Sequence, residues 1–90
     1  MSGCTIVLGA GASQGVGGAL SRRFAREGQH VIIGGRTTER IEALAQEVSD
    51  AGGSAEGISV DVTAEADLDA LFEYAAQKGP INAVLYYAGN

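Results

Sequence analysis

"CTIVLGAGASQGVGGAL", Cys4 to Leu20, decides the fold of this chain. Its opening, "CTIVLGA", is a short apolar run rich in β-branched residues, as suits a strand buried on both faces. The stretch after the turn reads as a helix. In "VGGALSRRFAREG", Val16, Leu20 and Phe24 recur every four residues, and Gly28 stands where a C-terminal cap belongs. Between strand and helix lies "GAGASQGVGG", in which Gly11, Gly15 and Gly17 form G-x-x-x-G-x-G. The chain must turn sharply, a pyrophosphate must reach the backbone, and the helix must pack close to the sheet. A Cβ would obstruct each of these. The free N–H groups and dipole at the helix start then favour anionic phosphates. The alternative phosphate loop, G-x-x-x-x-G-K-[ST], needs a lysine that is lacking after this loop, and a strict G-x-G-x-x-G fails at Gln14.

The same alternation continues along the chain. "HVIIGG" is a second apolar strand. "TTERIEALAQEVSDAGG" is a helix that Thr37 or Thr38 can cap, with Ile41, Leu44, Ala45 and Val48 on its inner face and Gly52-Gly53 at its end. "AEGISVDV" is a third strand. "TAEADLDALFEYAAQKG" is a helix opened by Thr63, with Leu68, Leu71, Phe72 and Ala75 as its buried stripe. "INAVLYYAG" is a fourth strand. The order βαβαβαβ implies a parallel sheet with right-handed crossovers, a Rossmann-type doubly wound α/β fold. Short loops leave no domain boundary within residues 1–90. A doubly wound sheet normally continues beyond its fourth strand, so the chain is expected to be the N-terminal segment of such a domain, truncated after that strand.

Composition narrows the function. At 46% hydrophobic and 19% charged residues, the chain is globular. Its fourteen glycines are about twice the average share of roughly 7%. A net charge of −5 argues against nucleic-acid binding. One cysteine and one histidine exclude an internal disulfide and a cysteine- or histidine-cluster metal site. No apolar run approaches the ~18 residues of a membrane span, and the N-terminus lacks a signal-peptide pattern. The expectation is a soluble, cytoplasmic protein.

The second strand's end addresses which nucleotide is bound. In "IIGGRTTER", Gly35 occupies the place where an NAD enzyme carries the carboxylate that bonds the adenosine ribose, and Arg36 comes next. A guanidinium binds a 2′-phosphate bidentately, whereas a carboxylate repels it. Thr37 and Thr38 add hydroxyls and a helix start. This favours NADP(H) over NAD(H). The structural alternative is a solvated arginine in a surface turn. Asp61, in "SVDVT", can accept a hydrogen bond from the adenine amino group; its structural alternative is to cap the next turn.

These stretches resemble the short-chain dehydrogenases/reductases over the whole chain. "AGASQGVGGAL" is similar to the family's T-G-x-x-x-G-x-G loop, "GGRTTERIEALAQEV" to the second strand and helix of its NADP-preferring members, "VDVT" to its adenine-contacting motif and "INAVLYYAG" to its N-N-A-G strand. The resemblance implies that Gly11, Ser13, Gln14, Gly15 and Val16 line the pyrophosphate. It implies Arg36 and Thr37 at the 2′-phosphate, Asp61 with Val62 at the adenine, and Tyr87, Ala88 and Gly89 along the ribose and nicotinamide. Ala10 departs from the family's threonine, and Tyr86 and Tyr87 from its two asparagines.

"YAAQK", Tyr74 to Lys78, spells the spacing of the family's catalytic Tyr-x-x-x-Lys pair. In the family that pair lies beyond the fifth strand. Here it lies on the third helix, which covers the sheet, and its C-terminal end points away from the nucleotide. We expect a surface tyrosine and a lysine that suits the helix dipole, and no catalytic residue within these 90 positions. Cys4 is expected to be a core thiol, and His30 to be solvated at the far edge. Arg22, Arg23 and Arg26 are expected to form a solvated face. The parent reaction would be hydride transfer between NADP(H) and an alcohol/carbonyl pair, with this chain inactive alone. A non-enzymatic dinucleotide-binding module that self-associates through its last strand is the alternative. A methyltransferase-like domain is disfavoured by Arg36, where that cofactor's ribose meets an acid.

Overall fold

The structure, a computed structural model, describes residues 3–8, 16–35, 38–61 and 63–86. Among these described residues, four strands alternate with three helices: β1 (Cys4–Leu8), α1 (Val16–Arg26), β2 (His30–Gly35), α2 (Thr38–Asp50), β3 (Ser54–Ser59), α3 (Glu65–Lys78) and β4 (Ile81–Tyr86). All pairings are parallel, and the strands lie in the order β3-β2-β1-β4. From β1 the chain steps outward to β2 and β3, then returns across the sheet to place β4 on the other side of β1. The sheet is therefore doubly wound, with its reversal of direction between β1 and β4.

Alternation along the strands builds two cores. Val7, Val31 and Ile33 face α1 and α2, where they pack with Ala25, Ile41, Leu44, Ala45 and Val48. Cys4, Ile6, Leu8 and Ile32 face the other way, onto Leu71 and Ala75 of α3. Because both faces are covered, β1 and most of β2 are apolar at nearly every position, as their sequences foretell. The expected inner face of α2 is the observed one.

Two glycines end helices in the left-handed region, as expected: Gly28 at φ 92° after α1 and Gly52 at φ 96° after α2. The start of α3 departs from expectation. The helix begins at Glu65 behind Ala64, which makes no side-chain cap. Thr63 is turned to Asp61 instead, and Asp67 reaches back to accept the Asp61 N–H at 3.0 Å.

Gly57 of β3 is where α2 approaches the sheet tightly. A Cβ there would lie 3.1 Å from the Ile41 carbonyl oxygen. Gly57→Val is expected to lower unfolding free energy by about 1–3 kcal/mol through overpacking, read as a fall in the urea midpoint.

Candidate functional site

The two edges of the sheet differ in what they can bind. At the carboxyl-terminal edge, Leu8, Gly35, Ser59 and Tyr86 end the four strands, and α1, α2 and α3 begin. Leu8 pairs with Tyr86 as the last step of the β1–β4 register, at the reversal point itself. Ligands of open α/β sheets bind in the crevice at this kind of point. The first-turn N–H groups of α1 and α2 start here without intrahelical partners.

Of the expected cofactor residues, Val16 and Gly17 are the first two of α1, and Asp61 lies two positions beyond β3. Gly11, Ser13, Gln14, Gly15, Arg36, Thr37, Val62, Tyr87, Ala88 and Gly89 lie outside the described residues. Gly11, Ser13, Gln14 and Gly15 connect β1 to α1, Arg36 and Thr37 connect β2 to α2, Val62 comes after Asp61, and the last three come after β4. Each segment thus leaves or enters an element at this edge.

Asp61 organises the turn before α3. Its Oδ1 accepts the Thr63 N–H at 2.9 Å and the Thr63 hydroxyl at 2.6 Å, and its carbonyl accepts the Ala64 N–H at 2.9 Å. Beside it, Ile58, Val60, Asp67, Leu71 and Tyr74 help to line a shallow hollow of about 300 Å³. Gly35 is buried and carries no side chain that could meet a ribose.

The amino-terminal edge carries polar side chains bonded to one another. His30 is not a solvated side chain. Its Nδ1 is 2.6 Å from Ser54 Oγ and its Nε2 2.7 Å from Glu56 Oε2. The Tyr74 hydroxyl donates to Glu56 Oε1 at 2.7 Å, and the Lys78 ammonium stands 5.0 Å from the centre of the Tyr74 ring. The pair in "YAAQK" therefore belongs to the edge opposite the strand ends, with its hydroxyl committed to a carboxylate. Tyr74 and, more weakly, Glu56 raise the Lys78 ammonium above the ordinary lysine value. Cys4 is buried and donates weakly to the Ala75 carbonyl at 3.4 Å; burial first, then Glu56, pushes its thiol up. Arg22 and Arg23 pair with Glu47 and Glu27 on the surface. Sequence reasoning missed the His30–Ser54–Glu56 grouping. Only the β2–β3 register, which sets His30 opposite Ser54, could have found it.

Burial, the largest single influence on Glu56, raises its carboxyl. The Tyr74 and His30 hydrogen bonds and the His30 and Lys78 charges together outweigh it and hold the group below the ordinary 4.5. A depressed folded-state value stabilises the fold above the unfolded value, and that contribution is lost as pH falls through the folded one. Glu56→Gln is therefore expected to lower the urea midpoint at neutral pH, with the gap to the unaltered protein closing as pH drops below about 4.5. A gap constant from neutral pH down to pH ~3 would contradict this.

Among the described residues, no helix is long and apolar enough to cross a membrane, and no group of three or more His, Cys, Asp or Glu side chains could hold a metal ion.

Comparison with known proteins agrees with the geometry. The sequence pattern of the family described as short chain dehydrogenase matches residues 5–90. An uncharacterized oxidoreductase, YuxG, of Bacillus subtilis (strain 168) is 40% identical over 87 residues, covering 93% of this chain and 13% of that protein. Serine 3-dehydrogenase of Agrobacterium fabrum (strain C58) is 46% identical over 65 residues, covering 72% of this chain and 24% of that protein. Among solved structures, an actinorhodin polyketide ketoreductase with NADPH superposes with a TM-score of 0.88 at 29% identity, covering 99% of this chain and 34% of its own. A metagenomic short-chain oxidoreductase in complex with NADP gives 0.80 at 26% identity, covering 91% and 37%. The chain spans about a quarter or less of the length of those two curated relatives.

Proposed function

The chain belongs to the short-chain dehydrogenase family, and from that premise we propose that it is the N-terminal, NADP(H)-binding segment of a Rossmann-domain oxidoreductase. The parent reaction is hydride transfer between nicotinamide and an alcohol/carbonyl pair. The observation that carries the reading is the reversal point between β1 and β4, with the glycine-rich stretch leaving β1 at that point.

In this reading Gly11, Ser13, Gln14, Gly15, Val16 and Gly17 receive the pyrophosphate through their backbone at the start of α1. Arg36 and Thr37 hold the 2′-phosphate. Two facts support a phosphate over a bare ribose: β2 ends in Gly35 and not in an acid, and Arg36 comes directly after it. Asp61 and Val62 border the adenine, whose flat ring suits the hollow beside Asp61. Thr63 occupies Asp61 Oδ1, so the role of Asp61 is to shape the adenine's border as much as to bond it. Tyr87, Ala88 and Gly89 run along the ribose and nicotinamide. When bound, NADP(H) supplies the hydride; these residues bind and orient it. The protein acts in the cytoplasm.

Amide chemical shifts on addition of NADPH test the location. The largest changes are expected at Leu8, Gly35, Val60 and Asp61, with His30, Ser54 and Lys78 unmoved. Changes centred on the latter three would overturn the assignment.

One observation favours a second reading, a module that pairs with its own copy. Among the described residues β4 has a strand neighbour on one side alone, and its Ile81 and Val84 are 37% and 45% exposed. Sedimentation that depends on protein concentration and is abolished by Val84→Lys supports this reading; a monomer at all concentrations excludes it.

A further inference from the structure

Cofactor binding at one edge of the sheet leaves the polar chain at the other edge without a role. Ser54 and His30 open β3 and β2 and face each other in the parallel register; Glu56 stands two positions on, on the same side of the sheet. Ser54 Oγ lies 2.6 Å from His30 Nδ1, and His30 Nε2 lies 2.7 Å from Glu56 Oε2. A carboxylate only accepts, so in the neutral ring Nε2 carries the proton and Nδ1 presents its lone pair. The group facing that lone pair is the Ser54 hydroxyl. Glu56 is held from its other oxygen by Tyr74 at 2.7 Å. The His30 and Glu56 side chains are 24% and 30% exposed, which partly shields their bond from water, while Ser54 is exposed to reagents.

We propose that Ser54 is a base-activated nucleophile and that activated acyl esters acylate it. Nucleophile, base and orienting carboxylate are recognised by their geometry and roles and not by their place in a fold. In the step, Ser54 Oγ attacks the ester carbonyl carbon and its proton passes to His30 Nδ1. The new C–O bond forms, the bond to the leaving alcohol breaks, and the proton leaves with that alcohol or to water. Glu56 supports the imidazolium during the transfer, and Tyr74 keeps Glu56 in line. No oxidant or further reactant is required.

The probe is p-nitrophenyl acetate, with release of p-nitrophenolate tracked by absorbance and the acetyl group located by peptide mass mapping. One acetyl is expected on Ser54. Its rate of formation should drop roughly 100-fold in His30→Gln. Ser54→Ala, at an exposed position, should fold and lose the modified peptide. Acetyl found on Lys78 or another amine with Ser54 unmodified would overturn the proposal. So would Ser54 acetylation at an unchanged rate in folded His30→Gln. Should that variant not fold, acetylation of Ser54 at the same rate in the urea-unfolded, unaltered protein overturns it equally.

Discussion

In Arg36→Ala, NADPH affinity is expected to fall roughly 10- to 100-fold, the worth of one charge-assisted, bidentate contact, with NADH affinity unchanged. The two cofactors differ in one group, the 2′-phosphate. Gly35 offers nothing to it, since it ends β2 as a buried residue without a side chain. In the proposed reading Arg36, next along the chain, is the residue whose charge separates a phosphate from a hydroxyl. Arg36→Lys should recover part of the affinity, because an ammonium supplies charge without the planar fork. Equal losses for NADPH and NADH in Arg36→Ala would mean that the arginine supports the turn and not the phosphate.

Ile33→Ala is expected to destabilise the chain by about 2–5 kcal/mol. Ile33 is fully buried on β2, which has a strand on either side, and it packs in the cluster with Ile41, Leu44 and Val48 of α2. Its neighbours can relax only partly into the space its side chain leaves, so the transfer and cavity penalties add. Small domains carry about 5–15 kcal/mol in total, and a chain of this size stands low in that range. Ile81→Ala is the control. Ile81 is 37% exposed on the edge strand, and its replacement should change stability by no more than about 0.5 kcal/mol. Comparable losses at the two positions would contradict the two-faced core.

Legibility in the sequence depends on which forces are local. β1 and β2 are legible because a parallel strand buried on both faces must be apolar nearly throughout, and "CTIVL" and "HVIIGG" are. The α2 face at Ile41, Leu44, Ala45 and Val48 is legible because its period is helical. The start of α3 is not, for a reason visible in the turn. Thr63 has the right chemistry to cap a helix, but the Asp61 carboxylate two positions earlier takes both its N–H and its hydroxyl. A competition between two good capping residues is settled by geometry that spacing alone does not contain. The His30–Glu56–Tyr74 chain is illegible for a stronger reason. Its successive members are 26 and 18 residues apart, and they meet only once β3 has paired with β2 in one register and α3 has docked across the sheet. The glycine-rich stretch and Arg36 are read from adjacent residues without tertiary knowledge, and residues 9–15 and Arg36 lie outside the described residues.

The most direct test of NADP(H) binding by this chain is a calorimetric titration of the unaltered protein with NADPH and, in parallel, with NADH. Saturable binding of both is expected, with NADPH bound at least roughly tenfold more tightly. Equal affinities, or tighter binding of NADH, would contradict the assignment of Arg36 to the 2′-phosphate and the choice of NADP(H) with it.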